Sequence, residues 1–247
     1  EEIKKRMEAL SPDIVIGMKY LYSNMPYSDV GNYTFDTYLD YVQQGIYLWE
    51  NSPYVKNYPE LYFLNYVLFH RTNDEEIKPC RTYFWKKIKD KVQGKAMVEA
   101  ALEINHWCAG EVMYQGTDMR TGSALEIYRS GVGRCGEEAV FVVNVMRSAG
   151  IPARPVYVPR WSHCDDNHAW VEVWCDGDWH YLGACEPEAV LDKGWFTNAA
   201  SRAMMIGSRW YDRAMPDEKV IGKDGMNRII NLLGKYAKTR WNFPRLQ

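Results

Sequence analysis

The chain has 247 residues, of which 47% are hydrophobic and 25% charged, and its formal net charge is -2. This composition is typical of a globular protein, and the length suffices for one large domain or two small ones. Lysine and arginine form no long run, which argues against a nucleic acid or a membrane surface as partner, and no apolar run approaches the roughly 18 residues of a membrane-spanning helix.

The first part of the chain has the apolar spacing of amphipathic helices. Four helices are predicted from the positions Phe35, Tyr38, Leu39, Val42 and Ile46; Leu61, Leu64, Val67 and Leu68; Phe84, Ile88 and Val92; and Met97, Ala101, Ile104, Cys108 and Val112. The polar stretch QGTDMRTGSA that follows has two glycines and is predicted to be a surface loop. We therefore expect a helical region over residues 1–95 that packs on a core formed by residues 96–247.

A different pattern begins at Ser130, in SGVGRCGEEAVFVVNVMRSAGIPARPVYV. Residues 135–148 are apolar on most sides, which is typical of a helix buried in the centre of a domain. Glu137 and Glu138 suit the positive end of the helix dipole, and the Gly-Ile-Pro beginning at Gly150 ends the helix. The segment ARPVYV is then predicted to be a strand.

The segment HAWVEVW predicts a strand whose side chains alternate between two faces. One face is small and apolar and suits a protein core: Ala169, Val171, Val173 and Cys175. The other face is polar and aromatic and is predicted to line a cleft: His168, Trp170, Glu172 and Trp174. The DGD that follows is a hairpin signal, so WHYLGAC is predicted to return as the partner strand.

Two further elements are predicted near the end of the chain. AMMIGSRWY favours another strand. The segment 226–236 is weakly helical in pattern, on the positions Ile229, Ile230, Leu232 and Leu233.

Cys135 stands at the start of the predicted buried helix. Unpaired backbone N–H groups and the helix dipole stabilise a thiolate there and lower its pKa, and the same N–H groups can stabilise the oxyanion formed when sulfur attacks a carbonyl. A nucleophilic cysteine also needs a base, and His168 at the head of the cleft-facing strand is the candidate. Because a lone buried cysteine is more often inert packing, the prediction depends on the whole ordered pattern of turn, cysteine, helix, strand and histidine.

That pattern, in GVGRCGEEAVFVVNVMRSAGIPARPV and NHAWVEVWCDGDWHYLGACEPE, resembles the transglutaminase-like superfamily of papain-type cysteine enzymes over about residues 104–196. The resemblance implies an α+β fold with a papain/transglutaminase-like core, in which a central buried helix opened by the cysteine packs on an antiparallel sheet. It also implies that Cys135 is the nucleophile and that His168 is the general base and later the general acid. The family includes transglutaminases, bacterial proteases and peptide N-glycanases, which attack amide carbonyls through a thioester acyl-enzyme or a close relative of it.

The sequence departs from the family at the residue that orients the histidine. The family usually has an aspartate in a W…LD context, and WHYLGA has Gly183 at that position. A hairpin centred on the DGD turn would set Glu186 opposite His168, so Glu186 is predicted to orient the imidazole. A one-residue slip of the register would change the face, which leaves Asp165, Asp166 or a main-chain carbonyl as alternatives.

Substrate contacts are expected from three residues near this site. Arg134, directly before the nucleophile, is expected to aid the thiolate or to bind a substrate carboxylate. Trp170 lies on the predicted cleft face, and His163 on a predicted loop at the cleft edge.

The six cysteines are too few for a disulfide scaffold, and no pair has C-x-x-C spacing. Cys164, Cys175 and Cys185 could in principle hold zinc together with His163 and His168. Their spacings of 11 and 10 positions fit no common zinc motif. We therefore expect neither a metal nor another cofactor.

These residues favour a cysteine-dependent hydrolase or acyltransferase that acts on peptide, isopeptide or glycopeptide bonds of a peptide, protein or glycopeptide substrate. Hydrolysis is favoured over cross-linking, because water is always present whereas cross-linking needs a guided amine site. The alternative is a non-catalytic module on the same fold. It would bind peptide or glycan in a cleft lined by some of the ten tryptophans and eighteen tyrosines, and the missing aspartate at Gly183 favours it.

The chain begins with Glu rather than Met, so we expect a trimmed or mature form. The resemblance is compatible with a bacterial protein exported to the periplasm or the cell surface. Localisation and oligomeric state are left open by the sequence.

Overall fold

The computed structural model describes residues 2–224 and 227–237. The helices in this part of the chain are α1 (Glu2–Met7), α2 (Pro12–Asn24), α3 (Tyr27–Asn32), α4 (Phe35–Asn51), α5 (Glu60–Phe63), α6 (Arg81–Val92), α7 (Met97–Glu111), α8 (Ala124–Ser130), α9 (Cys135–Ser148), α10 (Thr197–Ala200) and α11 (Leu233–Ala237). The strands are β1 (Met113–Tyr114), β2 (Val132–Gly133), β3 (Ala153–Val158), β4 (His168–Cys175), β5 (Asp178–Leu182), β6 (Gly207–Trp210), β7 (Val220–Asp224) and β8 (Asn227–Asn231). A 3-10 turn (Val55–Asn57) precedes α5, and a π-helix (Leu64–Leu68) continues it.

The helices predicted in the first part of the chain are confirmed as α4, α5 with its π-helix, α6 and α7. Helix α4 begins where the Thr34 hydroxyl accepts a hydrogen bond from the Thr37 N–H, which satisfies a donor that the helix itself cannot pair. Helix α8 was not predicted. It begins with a reciprocal pair of hydrogen bonds between Ser123, at the end of the stretch predicted to be a loop, and Glu126 just after it.

The predicted buried helix is confirmed as α9. Its side chains from Glu137 to Ser148 are all buried. Strands β3 and β4 pack on one side of it, and α6, α7 and α8 pack on others. The buried apolar side chains of α2, α4 and α6 join those of α7 and α9 in one cluster, and the domain boundary at residue 95 stays a prediction.

The larger sheet has six strands in the order β5–β4–β3–β6–β8–β7, and each neighbouring pair is antiparallel. The strands predicted from ARPVYV, HAWVEVW, WHYLGAC and AMMIGSRWY are confirmed as β3, β4, β5 and β6. The hairpin turn is also confirmed, because Asp176 and Gly177 have φ values of 52° and 89°, the left-handed conformation that a tight two-residue turn requires.

The helix predicted over 226–236 is wrong in its first half. Residues Asn227–Asn231 form β8, because both β6 and β7 pair with them, and the helix α11 begins only at Leu233. Position 226 lies outside the described residues.

The apolar face of β4 packs against α9, as predicted, but the cleft predicted on its other face is wrong. Trp170 and Glu172 are both 0% exposed. The C-terminal elements cover this face and form a second apolar cluster with it, which includes Trp170, Phe196, Ala200, Trp210, Ile230 and Tyr236. The indole N–H of Trp170 donates to the Tyr236 hydroxyl at 2.8 Å. This polar pairing makes full burial of the tryptophan possible.

A buried ion pair lies beside this second cluster, between Arg154 and Glu172. Two partly exposed charged side chains and a buried tyrosine join it, and we call the group the Arg154 network: Arg154, Glu172, Glu218, Lys235 and Tyr236. Arg154 donates to Glu172 at 2.8 Å and to Glu218 at 2.6 Å. Glu172 also accepts from the Tyr236 hydroxyl at 2.7 Å and lies 3.2 Å from the Lys235 ammonium. The network therefore joins β3, β4 and α11 under the sheet.

Within residues 2–224 and 227–237, no helix is long and apolar enough to cross a membrane.

Candidate active site

The start of α9 meets the start of β4, and this brings Cys135 next to the residue that follows His168. The backbone N–H groups of Ala169 and Gly136 lie near the Cys135 sulfur and lower the pKa of its thiol, against the effect of burial. His168 itself pairs in the sheet with Val158, at the end of β3. The predicted nucleophile and base thus lie at one junction, although no direct hydrogen bond joins their side chains in the described part of the chain.

The first turn of α9 also fixes the loop before it. The Glu137 carboxylate accepts from the Thr117 hydroxyl at 2.5 Å, from the Gly122 N–H at 3.1 Å and from the Arg134 N–H at 3.2 Å. The carboxylate therefore holds the polar loop after β1 against the helix start. Its negative charge also suits the positive end of the helix dipole.

Both members of the pair are held in their neutral forms. Burial raises the pKa of the Cys135 thiol, and this outweighs the two N–H groups, which lower it. Burial likewise lowers the pKa of His168 to about 4, against the opposing charge of Asp166. The expectation of a lowered thiol pKa is therefore wrong for the ligand-free protein, because the dipole argument omitted the cost of desolvating the thiolate.

Four rings surround His168, and we call them the aromatic cage: Trp195, Phe196, Trp170 and Trp161. Their ring centroids lie 4.6, 5.2, 5.9 and 6.3 Å from that of the imidazole. His168 is only 7% exposed as a result. Its Nε2 is buried and has no hydrogen-bond partner among the described residues. The imidazole is therefore surrounded by apolar rings where a buried polar group usually has a hydrogen-bond partner.

A tight turn brings the Glu186 side chain against Gly183. Its N–H donates to the Gly183 carbonyl at 3.1 Å. A side chain at Gly183 would overlap Oε2 of Glu186, so this carboxylate fills the space that a side chain at 183 would need.

The predicted pairing of residues 168 and 186 in the β4–β5 hairpin is wrong by one residue. The Val171–Leu182 pair would align His168 with residue 185, and β5 ends at Leu182.

The Glu186 carboxylate accepts a hydrogen bond from the indole N–H of Trp195 at 2.9 Å. Among the described residues it makes no hydrogen bond with His168. The same indole ring packs against the imidazole, so Glu186 is separated from His168 by one side chain.

The structure places the three predicted substrate contacts differently. Arg134 lies 3.5 Å from the Glu137 carboxylate and donates to the Thr121 hydroxyl at 2.9 Å, so it helps to hold the loop after β1. His163 is exposed and lines a cavity of about 590 Å³ that includes Trp161. For Trp170 the prediction is wrong, because the ring is fully buried behind His168 and reaches no solvent.

Three residues of the site were missed by the sequence reasoning: Trp195, Asn105 and Glu138. Asn105, on α7, donates to the Gly183 carbonyl at 2.9 Å and accepts from the Cys185 N–H at 3.1 Å, and so fixes the turn that carries Glu186. An asparagine on the apolar face of a predicted helix was the available signal, because a buried amide needs partners.

Glu138 lies one turn after Cys135 and is 5% exposed. Burial, and then the charge of Glu186, raise its pKa from 4.5 to about 8. It therefore carries a proton near neutral pH. Its ionisation at higher pH would add a negative charge that disfavours the Cys135 thiolate.

The raised pKa of Glu138 predicts a stability that depends on pH. A carboxyl whose folded pKa lies above its unfolded value stabilises the fold fully below the unfolded value, and this contribution is lost as the pH rises towards about 8. We expect Glu138→Gln to become progressively more stable than the wild type between pH 5 and 8, by at most about 1.4 kcal/mol per pH unit. Urea unfolding at several pH values measures this difference.

The exposed Glu50 supplies the control. The stability difference between Glu50→Gln and the wild type is measured over the same range, as the reference for removing an exposed carboxylate. A difference for Glu138→Gln that varies with pH no more than this reference would contradict the prediction.

Part of the chain matches a known protein family. Residues 86–184 match the family model of the transglutaminase-like superfamily, which confirms the resemblance and the α+β fold with its cysteine-opened central helix. No curated protein matches the chain significantly.

Two solved structures are similar at low identity. One, described as a putative cysteine protease from Cytophaga hutchinsonii, is 18% identical with a TM-score of 0.36, over 61% of this chain and 57% of that chain. The other, described as a putative protease from Parabacteroides distasonis, is 12% identical with a TM-score of 0.36, over 80% of this chain and 30% of that chain. The chain thus spans less than two thirds of either protein.

Proposed function

We propose that this protein, with its transglutaminase-like domain, hydrolyses amide bonds of peptides or proteins by nucleophilic attack of Cys135. One observation carries the proposal: Cys135 begins a buried helix, and the backbone N–H groups of Gly136 and of Ala169, the residue after His168, lie near its sulfur. N–H groups in this position can stabilise both the thiolate and an oxyanion.

The reaction begins from a neutral thiol and a neutral imidazole. His168 accepts the thiol proton as sulfur bonds to the substrate carbonyl carbon, and the carbonyl electron pair moves onto oxygen. The oxyanion returns its electron pair, the C–N bond breaks, and the imidazolium gives its proton to the leaving amine. A thioester on Cys135 and the free amine result.

Water then completes the cycle. His168 removes a proton from a water molecule as its oxygen attacks the thioester carbonyl. The new tetrahedral intermediate collapses with cleavage of the C–S bond, and the proton on His168 returns to the sulfur. The acid product leaves, and both side chains are neutral again.

Three other residues are assigned supporting roles in this proposal. Glu186 orients His168, since its carboxylate occupies the space of the family's aspartate beside Gly183. Arg134 and His163 are proposed substrate contacts, because both are partly open to solvent near Cys135 and Trp161 respectively.

Trapping of the acyl-enzyme tests the proposal. The protein is incubated with a pool of synthetic peptides and quenched in acid, and its intact mass and peptide map are recorded. We expect an acyl adduct on Cys135 that hydroxylamine removes, as it does any thioester. Cys164, an exposed free cysteine, provides the control, since Cys164→Ala should still form the adduct.

Two outcomes would count against the proposal. One is peptide cleavage that continues without an adduct on Cys135. The other is an adduct that disappears in Cys164→Ala.

A non-catalytic binding module is the second candidate function. It is favoured by the large apolar side chains exposed near the site, with Trp195 63% and Met204 82% exposed. For this function, the peptide or glycan would bind with no adduct and no cleavage, and the affinity would be unchanged in Cys135→Ala.

A further inference from the structure

We propose that Trp195 is a positioning residue for His168, and that Glu186 acts on the imidazole through the indole of Trp195 rather than by a direct hydrogen bond. The effect of Trp195 on catalysis rests on the proposed function, whereas its effect on the position of His168 does not depend on that function.

Trp195 is mostly exposed, yet its ring contacts both His168 and Phe196. Although it is 63% exposed, its ring centroid is the nearest of the cage to the imidazole, at 4.6 Å with a 50° angle between the planes. It also meets Phe196 edge to face, with a 90° angle and 5.9 Å between centroids. Aromatic pairs at such separations attract each other beyond the area that they bury.

The other edge of the indole is held by Glu186. The indole N–H has a single hydrogen to donate, and at 2.9 Å it donates it to Oε1 of Glu186. This bond fixes the rotation of the ring about its side-chain bonds. The face that Trp195 presents to His168 is therefore set by the position of a carboxylate that does not itself reach the imidazole.

Glu186 is in turn held by α7. Asn105 bonds the backbone on both sides of the turn, through the Gly183 carbonyl and the Cys185 N–H. The turn is tight enough for Cys185 to have a φ of 56°, which a residue with a side chain adopts only when its surroundings enforce it. The carboxylate is thus anchored to a buried helix.

The segment that carries Trp195 is anchored to β5. The Asp192 carboxylate accepts from the Tyr181 N–H at 3.0 Å and pairs with Nδ1 of His180 at 2.6 Å. The Thr197 N–H donates to the Gly194 carbonyl at 3.1 Å. Trp195 is therefore an exposed ring on a fixed backbone, which is what a positioning residue requires.

The groups that face His168 come from three sides. Asp166, in the segment before β4, is the charge that acts on the imidazole, and Cys135 on α9 is the titratable group beside Ala169, the next residue of β4. Trp195 and Phe196 contribute rings, and Trp195 is the exposed one. Because most of this ring is exposed, its removal would open the imidazole to water without leaving a cavity in the core.

The test follows the titration of His168 by NMR, with ring signals assigned from the His168→Ala spectrum. In the wild type the midpoint should lie near 4. In Trp195→Ala, hydration of the ring should move it upward by about 1 to 2 pH units, towards the ordinary value of about 6.5. Trp195→Phe, which keeps a ring, should move it much less.

Glu186 variants separate the two ways in which this carboxylate could act. In Glu186→Gln the side-chain oxygen still accepts the indole N–H, so the His168 midpoint should stay near that of the wild type. In Glu186→Ala the indole loses its acceptor, and the midpoint should move in the direction of Trp195→Ala. Trp49→Ala, at an exposed ring on α4, is the control and should leave the midpoint unchanged.

The proposal is overturned if Trp195→Ala leaves the midpoint in place, or if Glu186→Gln shifts it as far as Trp195→Ala. Peptide hydrolysis gives a second readout, in which Trp195→Ala should lower kcat about 10-fold or more with little change in KM, since misplacing a base affects the chemical step. If the wild type cleaves no peptide, the proposed function fails while the titration still decides the positioning role.

Discussion

Replacement of Cys135 by alanine is expected to lower peptide-amide turnover by about 1,000-fold or more, to the level of the uncatalysed background. The side chain is the only group in the proposed mechanism that forms a covalent bond with the substrate, and alanine leaves no nucleophile in its place. The change removes one sulfur from the N-terminus of α9 and leaves the buried face of the helix intact. Initial rates with a cleaved peptide, measured at several concentrations, give kcat and KM.

Cys135→Ser is the informative companion of this variant. Serine keeps the shape of the side chain, but its hydroxyl is far harder to deprotonate, and a base with a pKa near 4 does not compensate for this. We therefore expect serine to be nearly as inactive as alanine while KM stays close to that of the wild type.

Two comparisons decide this prediction. His168→Ala should fall to a similar level, and Cys164→Ala should keep full turnover. A Cys135→Ala enzyme that retained more than about a tenth of the wild-type rate would show that the nucleophile is elsewhere.

Replacement of Glu172 by alanine is expected to destabilise the fold by about 3–5 kcal/mol, because it leaves the charge of the buried Arg154 without its partner on β4. Arg154 is 2% exposed and Glu172 is 0% exposed, so water cannot take the place of the carboxylate. The Tyr236 hydroxyl and the Lys235 ammonium each lose one interaction, the one with the Glu172 carboxylate, in the same change. Urea unfolding followed by circular dichroism measures the loss.

The pH dependence of this effect identifies its origin. The Arg154 guanidinium lowers the pKa of Glu172, against the effect of burial, so the carboxylate stabilises the fold at pH values above its ordinary pKa, and the contribution is lost as the pH falls below it. We therefore expect the difference between the wild type and Glu172→Ala to shrink in acid.

The double variant Arg154→Met with Glu172→Leu provides the matched control. It removes both charges together, and replacing a buried ion pair by apolar side chains is often close to neutral. It should therefore recover much of the lost stability. A loss below about 1 kcal/mol in Glu172→Ala alone would mean that Glu218 satisfies Arg154 without Glu172.

The Arg154 network also bears on the site. Glu172 is two residues along β4 from Trp170, whose ring stacks on Phe196 with centroids 4.7 Å apart behind the imidazole. A disturbed packing of the side chains under the sheet would therefore change the position of the cage rings, and with them the surroundings of His168. For this reason, activity measurements on network variants need a stability measurement beside them.

Several elements followed from the sequence alone because their causes are local. Helix α9 was predicted with its bounds, because a long apolar segment that follows a cysteine-containing turn and ends at Gly-Ile-Pro favours a buried helix. The two-residue turn of the β4–β5 hairpin was signalled by Asp176 and Gly177, which tolerate positive φ. The apolar face of β4 was also predicted correctly, because alternation fixes which side chains point together.

The sequence did not determine what covers each face, and this is where the predictions failed. Alternation separates the two faces of β4 but carries no information on whether solvent or another segment lies beyond them. Trp170 packs against Tyr236, a residue 66 positions away, so this face of β4 belongs to a second apolar cluster and lines no cleft. The hairpin register was missed by one residue for a local reason, because the turn has two residues, Asp176 and Gly177, and the hairpin is centred between them rather than on Gly177.

Cys135 and His168 were predicted as nucleophile and base from local pattern and family resemblance, whereas the way in which His168 is held was decided by the tertiary structure. The sequence has a glycine where the family has aspartate, and only the folded turn shows the Glu186 carboxylate in the space beside it. Trp195 gave no signal in the sequence, since one tryptophan among ten is indistinguishable until its ring is seen against the imidazole. Helix and strand formation depend on near neighbours, but the environment of a buried imidazole depends on which distant segments pack around it.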